Sequence, residues 1–302
     1  MSGYLHPLYA ESLCGFGTPR ELPGSKGIIL ERLIPRSDDF DAMGCYPIFA
    51  CRNWSLLRSD LESIHAGPVS LSLVADPFGD YDIAYLRECF PDVVVPFKQH
   101  FVVDLRRPLD SFVHPHHRRN TRRALGKLQV EICAQPENFL EEWMALYATL
   151  IDRHKISGIA AFSRESFVKQ LAVPGMVMFR AIHDDATVGM LLWYEQGDRA
   201  YYHLGAYSPL GYELEASFAL FDVSIRYFAE RHLQWLSLGA GAGTGLGTQQ
   251  ATGLDRFKQG WSTGTRTAYF CGRIFDRKKY QELTKNVPPT EYFPTYRVGE
   301  FN

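Results

Sequence analysis

Apolar and polar positions alternate in short runs through the first hundred residues. Val69-Ser70-Leu71-Ser72-Leu73-Val74 has the period of two expected of a half-buried strand. Gly27 to Ile34 is rich in branched apolar residues and stops at Pro35, which reads as another strand. Asp92 to Val95 and His100 to Leu105 read as two more. Trp54 to His65 and Tyr81 to Phe90 fall between them as short helices. The pattern predicts an α/β unit over residues 1–105.

The texture changes at Arg106-Arg107-Pro108. Ser111 to Lys127 reads as a basic helix with Pro115 near its first turn, where a missing N–H is harmless. Gln129 to Ala134 alternates as a strand. Glu137 to Lys155 places Phe139, Trp143, Leu146, Leu150 and Ile151 near a 3.6-residue period, so it is an amphipathic helix. A short helix is expected from Ser163. Three strands follow, Met176–Ile182, Thr187–Glu195 and Arg199–Ala206, joined by His183-Asp184-Asp185 and Gln196-Gly197-Asp198, which carry hairpin chemistry. A long helix over Tyr212–Arg231, a strand over Gln234–Leu238, a mobile glycine loop, a short helix over Leu254–Gln259 and a strand over Thr267–Gly272 complete a second domain, residues 106–302. Tight hairpins between its central strands exclude a doubly wound parallel sheet. The fold class is therefore α/β (α+β): a mixed, mainly antiparallel sheet flanked by helices.

Composition narrows the classes without choosing among them. With 302 residues, 46% hydrophobic and 14% aromatic, the chain can bury one or two cores and is not disordered. No apolar run approaches the ~18–20 residues that span a bilayer. Met1 to Pro7 has neither a basic stretch nor an apolar core, so no signal peptide is expected and the cytoplasm is the default. Six cysteines without a CxxC pair fit a reducing compartment, and Cys89, Cys133 and Cys271 read as small buried hydrophobes.

Charge is more informative by position than in total. His114 to Lys127 holds five lysines and arginines and no acid; subtracting these from the net charge of −2 leaves −7 on the rest of the chain. Arg118 and Arg122 share one helical row and Arg119 and Arg123 the next, so four guanidiniums lie on one face. That arrangement suits phosphate, in RNA or in an anionic small molecule. His114, His116 and His117 lack flanking Cys or carboxylates, so no metal site is expected. The glycines from Gly239 to Gly247 recur every second residue. They fit neither a dinucleotide fingerprint nor a P-loop, leaving a linker loop or an active-site flap. Gly260-Trp261-Ser262-Thr263-Gly264 has the letters of GxSxG but runs from an expected helix into an expected strand, the reverse of a nucleophile elbow, so serine hydrolase chemistry has no support.

One pair of segments resembles a known family. Trp235-Leu236-Ser237-Leu238-Gly239-Ala240-Gly241, followed by Gly253-Leu254-Asp255-Arg256-Phe257-Lys258-Gln259-Gly260-Trp261, is similar to the closing motif of the FemABX-like branch of the GNAT acyltransferase superfamily. That motif is a strand, a glycine-rich loop, then Phe-Lys-x-Gly-aromatic. His117-Arg118-Arg119-Asn120-Thr121-Arg122-Arg123 and the segment Leu146-Tyr147, Arg153-His154, Gly158, Phe162-Ser163 also look like that group. The resemblance covers most of residues 105–275 and implies a protein of two GNAT-like halves, the first reduced.

The resemblance implies transfer of an acyl group to an amine. In one branch the donor is an aminoacyl-tRNA, in the other acetyl-CoA or another acyl-CoA as co-substrate; the acceptor is a small-molecule or peptide amine. Where a CoA enzyme carries its glycine-rich pyrophosphate turn, this chain has Ser208 to Ala216, with one glycine and with Glu213 and Glu215, whose charge would repel pyrophosphate. The aminoacyl-tRNA reading is therefore preferred, with no resident cofactor. A third reading is a catalytically silent, RNA- or partner-binding relative. Lys258 is expected to stabilise the tetrahedral oxyanion or the departing ribose oxygen, and Phe257 to stack near the terminal adenosine. Arg153 is expected to contact an acceptor phosphate or carboxylate, and Gly239 and Gly241 to line the site. Tyr202 and His203 alternate faces on one strand, so only one of them can face a cleft. The arginines at 118, 119, 122 and 123 are expected to bind RNA or phosphate.

Overall fold

The computed structural model describes residues 1–64, 67–241 and 253–300. Its strands are β1 Thr18–Glu21, β2 Ile28–Leu33, β3 Phe40–Gly44, β4 Ser70–Val74, β5 Val93–Asp104, β6 Gln129–Cys133, β7 Met176–His183, β8 Ala186–Gln196, β9 Arg199–Tyr207, β10 Trp235–Gly239 and β11 Gly264–Ile274. The α-helices are α1 Pro7–Glu11, α2 Leu57–Glu62, α3 Ile83–Cys89, α4 Pro115–Leu125, α5 Leu140–His154, α6 Arg164–Leu171, α7 Pro209–Glu213, α8 Ala216–Glu230, α9 Gly253–Gln259 and α10 Arg277–Thr284.

Two compact units share the chain. A central unit comprises Met1–Gly3 and Gln99–Arg266; a terminal unit comprises Tyr4–Lys98 and Thr267 to the C-terminus. The chain thus changes unit at 3/4, 98/99 and 266/267, where a single boundary was expected at 105/106. The cause of the last change is β11, whose Phe270 to Ile274 pair antiparallel with Val74 to Ser70 of β4, returning the C-terminal segment to the N-terminal unit.

In the central unit the C-terminal half of β5 pairs antiparallel with β10, β10 runs parallel to β9, and β9, β8, β7 and β6 continue as an antiparallel meander. The expected hairpins form: Asp184 and Asp185 take φ of 46° and 62°, and Gly197 takes 67°. The core joins the sheet to α8, burying Phe179, Trp193, Leu220, Phe221, Ile225 and Phe228 almost completely. In the terminal unit β1, β2 and β3 are antiparallel, β3 and β4 parallel, and Trp54, Leu57, Leu61, Leu86 and Phe90 cover the sheet.

Three elements differ from expectation. The helix expected over Tyr212–Arg231 is two helices, because Glu215 adopts a left-handed φ of 58° between α7 and α8. Ser208 caps α7 by accepting the Gly211 N–H at 3.0 Å, so the chain starts a turn of helix three residues before Tyr212. The two strands expected around Pro96 are one, β5, since proline removes a donor but keeps an extended φ. The polar β1, the Asp-containing β3, and the helices α1 and α10 lacked the periodicity that would have announced them. All six cysteines are free; Cys89, Cys133 and Cys271 are buried as expected, and Cys14 alone is exposed.

Candidate active site

The segment that closes the central unit carries one costly feature, a buried lysine. β10 ends at Gly239, whose left-handed φ of 73° favours glycine, and α9 brings Lys258 back beside it. A Cβ on Gly239 would lie 3.4 Å from Lys258 Nζ, and one on Gly241 would lie 1.7 Å from Asp255 Oδ1, so α9 packs against the bare backbone of both glycines. Lys258 is 5% exposed. Its Nζ donates to the Ala240 carbonyl at 2.5 Å and stands 5.5 Å from the centroid of the Tyr202 ring. No described carboxylate forms a salt bridge with it. Burial lowers its pKa to about 8, against a weaker opposing pull from Asp255. The ammonium therefore keeps two N–H bonds to give to a ligand.

From Lys258 a run of tyrosines leads along β9 to α5. The hydroxyls of Tyr202 and Tyr207 both overhang Gly205, where a Cβ would meet them at 2.5 and 3.2 Å. Tyr207 packs edge-on to Tyr212 of α7, with ring centroids 5.3 Å apart, and the Arg153 guanidinium stacks 4.1 Å from the Tyr212 centroid. None of these three hydroxyls has a hydrogen-bond partner among the described residues. Burial holds the pKa of each above its ordinary value, most strongly at Tyr202 and Tyr207, so all three present protons and none is a base at neutral pH. Arg153 makes no ion pair among the described residues, leaving its N–H edges open.

Tyr202 and His203 point to opposite faces of the sheet. Tyr202 joins Trp193 and Phe221 on the α8 side, while His203 packs against Phe162 and Tyr194 and its Nε2 lies 3.1 Å from Gln170 Oε1. Burial depresses the pKa of His203 to about 3. Because its folded pKa lies below the unfolded value near 6.5, its neutral state supports the fold above that value and the support is lost as pH falls toward 3. Urea denaturation between pH 7 and pH 4 should show wild type losing ~3 kcal/mol relative to His203→Gln; parallel curves would count against a buried neutral imidazole.

Phe257 lies on the inner side of α9. Its ring meets His117, Phe218, Phe221 and Trp261 at centroid distances of 5.5, 5.1, 4.9 and 6.3 Å. The structure places it in an aromatic cluster rather than beside the Lys258 ammonium. His117, read from sequence as part of a basic run, is 6% exposed and belongs to the same cluster.

The four arginines of α4 do lie on the face opposite His117, Asn120, Thr121 and Ala124, which are buried. They are not equivalent. Arg123 makes a two-pronged ion pair with Glu215, at 2.9 Å from Nε and 2.5 Å from the terminal nitrogen. Arg118 donates to the Asp110 carbonyl, Arg122 weakly to the Arg118 carbonyl, and Arg119 meets the His116 ring at 3.0 Å. Three guanidiniums make no ion pair with a carboxylate among the described residues. Residues 242–252, which include the rest of the expected flap, lie outside the described residues. Among the described residues no group of three or more His, Cys, Asp or Glu side chains could hold a metal ion, and no helix is long and apolar enough to cross a membrane.

Comparison with known proteins bears on the segment that carries this geometry. Residues 115–258, from the first residue of α4 to Lys258 itself, match the acetyltransferase (GNAT) domain family. They are a GNAT-type acyltransferase domain. The fold is also that of several solved proteins. FemX superposes with a TM-score of 0.67 at 13% identity, covering 91% of this chain and 92% of its own. The C-terminal domain of a putative lysylphosphatidylglycerol synthetase from Agrobacterium fabrum gives 0.62 at 13%, covering 90% and 88%. L-PGS from Bacillus licheniformis gives 0.60 at 14%, covering 92% and 94%. These identities establish a shared fold, of FemABX-like type, and nothing finer. No curated protein matches the sequence.

The GNAT domain thus gathers Lys258, Gly239, Gly241 and Tyr202 where the end of β10 runs beside the middle of β9, and links them through Tyr207 and Tyr212 to Arg153. Tyr207 and Tyr212 had no distinguishing signal in the sequence, since tyrosines are frequent in this chain. Only the hydroxyl-filled space over Gly205 and the stacked guanidinium single them out.

Proposed function

We propose that the GNAT domain forms an amide by moving an aminoacyl group from an aminoacyl-tRNA to an amine acceptor, a small molecule or a peptide. The observation that carries this reading is Lys258, a buried ammonium with one hydrogen bond and N–H bonds to spare. An aminoacyl ester is already activated, so positioning and charge stabilisation suffice. The acceptor nitrogen attacks the ester carbonyl carbon, and the C–N bond forms as an oxyanion develops. Lys258 Nζ donates to that oxygen, with the protonated Tyr202 hydroxyl as a neighbouring donor. The carbon–ribose oxygen bond then breaks, and the proton released by the amine goes to the departing ribose oxygen. Arg153, stacked on Tyr212, would hold a phosphate or carboxylate of the acceptor. Phe257 would serve by fixing α9 from within and by offering its half-buried ring near the terminal adenosine. This reading places the protein in the cytoplasm, with charged tRNA.

Glu215 supports tRNA over acyl-CoA as donor. It occupies the N-cap of α8, where a CoA pyrophosphate would seek free N–H groups and positive potential. A carboxylate there, already neutralising Arg123, opposes a second anion. The match to an acetyltransferase family favours the acyl-CoA reading, so the two must be separated by experiment. Incubation with radiolabelled charged tRNA and amines should transfer label, and Lys258→Ala should abolish transfer. Release of free CoA from acyl-CoA, with no transfer from tRNA, would overturn the proposal. RNA binding without either transfer would point to a silent relative.

The uncommitted arginines Arg118, Arg119 and Arg122 give this reading an electrostatic test. Neutralising three phosphates predicts that the logarithm of tRNA affinity falls with the logarithm of salt with a slope of about −2 to −3. Replacing all three by glutamine should flatten the slope; an unchanged slope removes them from the interface.

A further inference from the structure

Helix α9, which presents Lys258, has seven residues. A helix this short is marginal on its own and must be held from outside. Its last turn leaves carbonyls without helical partners: the Trp261 N–H turns to the Lys258 carbonyl at 3.1 Å rather than to that of Phe257. The Phe257 carbonyl is met instead by His117 Nε2, 2.9 Å away. One turn on, the Gly260 carbonyl accepts the backbone N–H of His114 at 2.9 Å. Both partners come from the start of α4.

The imidazole is fixed by packing as well. Its ring lies 5.0 Å from Phe218, 5.1 Å from Trp261 and 5.5 Å from Phe257, centroid to centroid. A Cβ on Gly260 would come within 2.3–2.7 Å of three ring atoms, so Gly260 lies against the imidazole face. Nδ1 is buried with no hydrogen-bond partner. Only one tautomer suits this place, with the proton on Nε2 for the Phe257 carbonyl and a bare Nδ1.

We propose that His117 is a positioning residue for Lys258: its Nε2–H clamps the Phe257 carbonyl and so fixes the end of α9 from which the Lys258 side chain reaches the Ala240 carbonyl and Tyr202. The clamp is a property of the fold. Its value for turnover rests on the reading that Lys258 acts in the transfer. The charged and titratable neighbours are Asp255 and Tyr202 around Lys258, and His114 and His116 around His117. Because the arginines of α4 lie on the face opposite His117, the helix that would meet the phosphates is the one that holds the lysine.

The test uses the chain without substrate. Lys258 is labelled with acetic anhydride at a series of pH values, and its modification rate is read by peptide mass spectrometry. In wild type the rate should rise with a midpoint near pH 8. In His117→Leu, which keeps bulk and removes the donor, the midpoint should move toward the ordinary lysine value and turnover should fall at least tenfold. In His117→Gln, whose side-chain N–H can reach the same carbonyl, both should return to within about twofold of wild type. A folded His117→Leu with an unmoved Lys258 midpoint overturns the proposal, as does a His117→Gln no better than His117→Leu. Should the leucine variant not fold, 15N NMR of wild-type His117 decides: a protonated Nε2 supports the clamp, and the Nδ1–H tautomer overturns it. If labelling shifts as expected while Lys258→Ala leaves turnover intact, the clamp stands and the catalytic assignment of Lys258 falls.

Discussion

Lys258→Met should cost transfer activity at least 100-fold and at the same time stabilise the protein. Loss of one preorganised donor to a developing oxyanion typically lowers turnover by about 10²–10³. The gain in stability follows from the burial of an ammonium that no described carboxylate neutralises. Its folded pKa is about 8 against about 10.5 when free. Between those values the unfolded chain binds the extra proton, so wild-type stability rises with pH across that window. Below pH 8 the full penalty applies, ~3 kcal/mol. Methionine fills similar volume without a charge, and its advantage over wild type should be largest at pH 7 and shrink by pH 10. Urea melts at the two pH values, with turnover measured on the same preparations, check both halves. Full activity would remove Lys258 from the chemistry; a variant less stable than wild type at pH 7 would mean the lysine is not paying a burial penalty at all.

Elements with a strong period were legible in the sequence and those held by long-range contacts were not. The meander of β7, β8 and β9 was readable because two turns with φ above zero separate three apolar runs, a local signal. The helix α4 was readable but its start was not: the basic run suggests Ser111, whereas the helix begins at Pro115. The break at Glu215 was not, because a non-glycine residue with φ of 58° is imposed by its surroundings, here by a pair with Arg123 ninety-two positions away. Terminal strand β11 found its partner β4 nearly two hundred residues earlier in the chain, a pairing no local pattern encodes. The site divides in the same way. Lys258, Gly239 and Gly241 form one short motif and were found together. His117 carried the same letter as its exposed neighbours, and only its place on the inward side of α4 sets it apart. Arg123 was grouped with three arginines by helical spacing; its neutralisation by Glu215 depends on where α8 begins.

Asp41→Asn should be the most damaging conservative change in the terminal unit, costing about 3–5 kcal/mol. Asp41 is fully buried on β3, directly across from Arg32 of β2. It accepts from Arg297 Nε at 2.5 Å and from a terminal Arg297 nitrogen at 2.9 Å, and from Arg32 Nε at 3.3 Å. Arg297 also donates to the Leu33 carbonyl at 2.8 Å, and Glu300 pairs with both arginines at 2.9 and 3.2 Å. Two cations and two anions thus close a loop that fastens residues near the C-terminus to the β2–β3 hairpin. Asparagine keeps the shape but leaves two nearly buried guanidiniums facing a single, partly exposed carboxylate. An uncompensated buried charge is far more destabilising than the pair is stabilising, which is why breaking such a network is severe while replacing it whole with apolar groups can be neutral. Glu300→Gln, at the more exposed corner, should therefore cost only ~1 kcal/mol. The triple change Arg32→Met, Asp41→Leu, Arg297→Met should recover much of what Asp41→Asn loses. Equilibrium urea unfolding of the three variants decides the matter. If Asp41→Asn costs less than Glu300→Gln, the buried carboxylate is not the centre of the network.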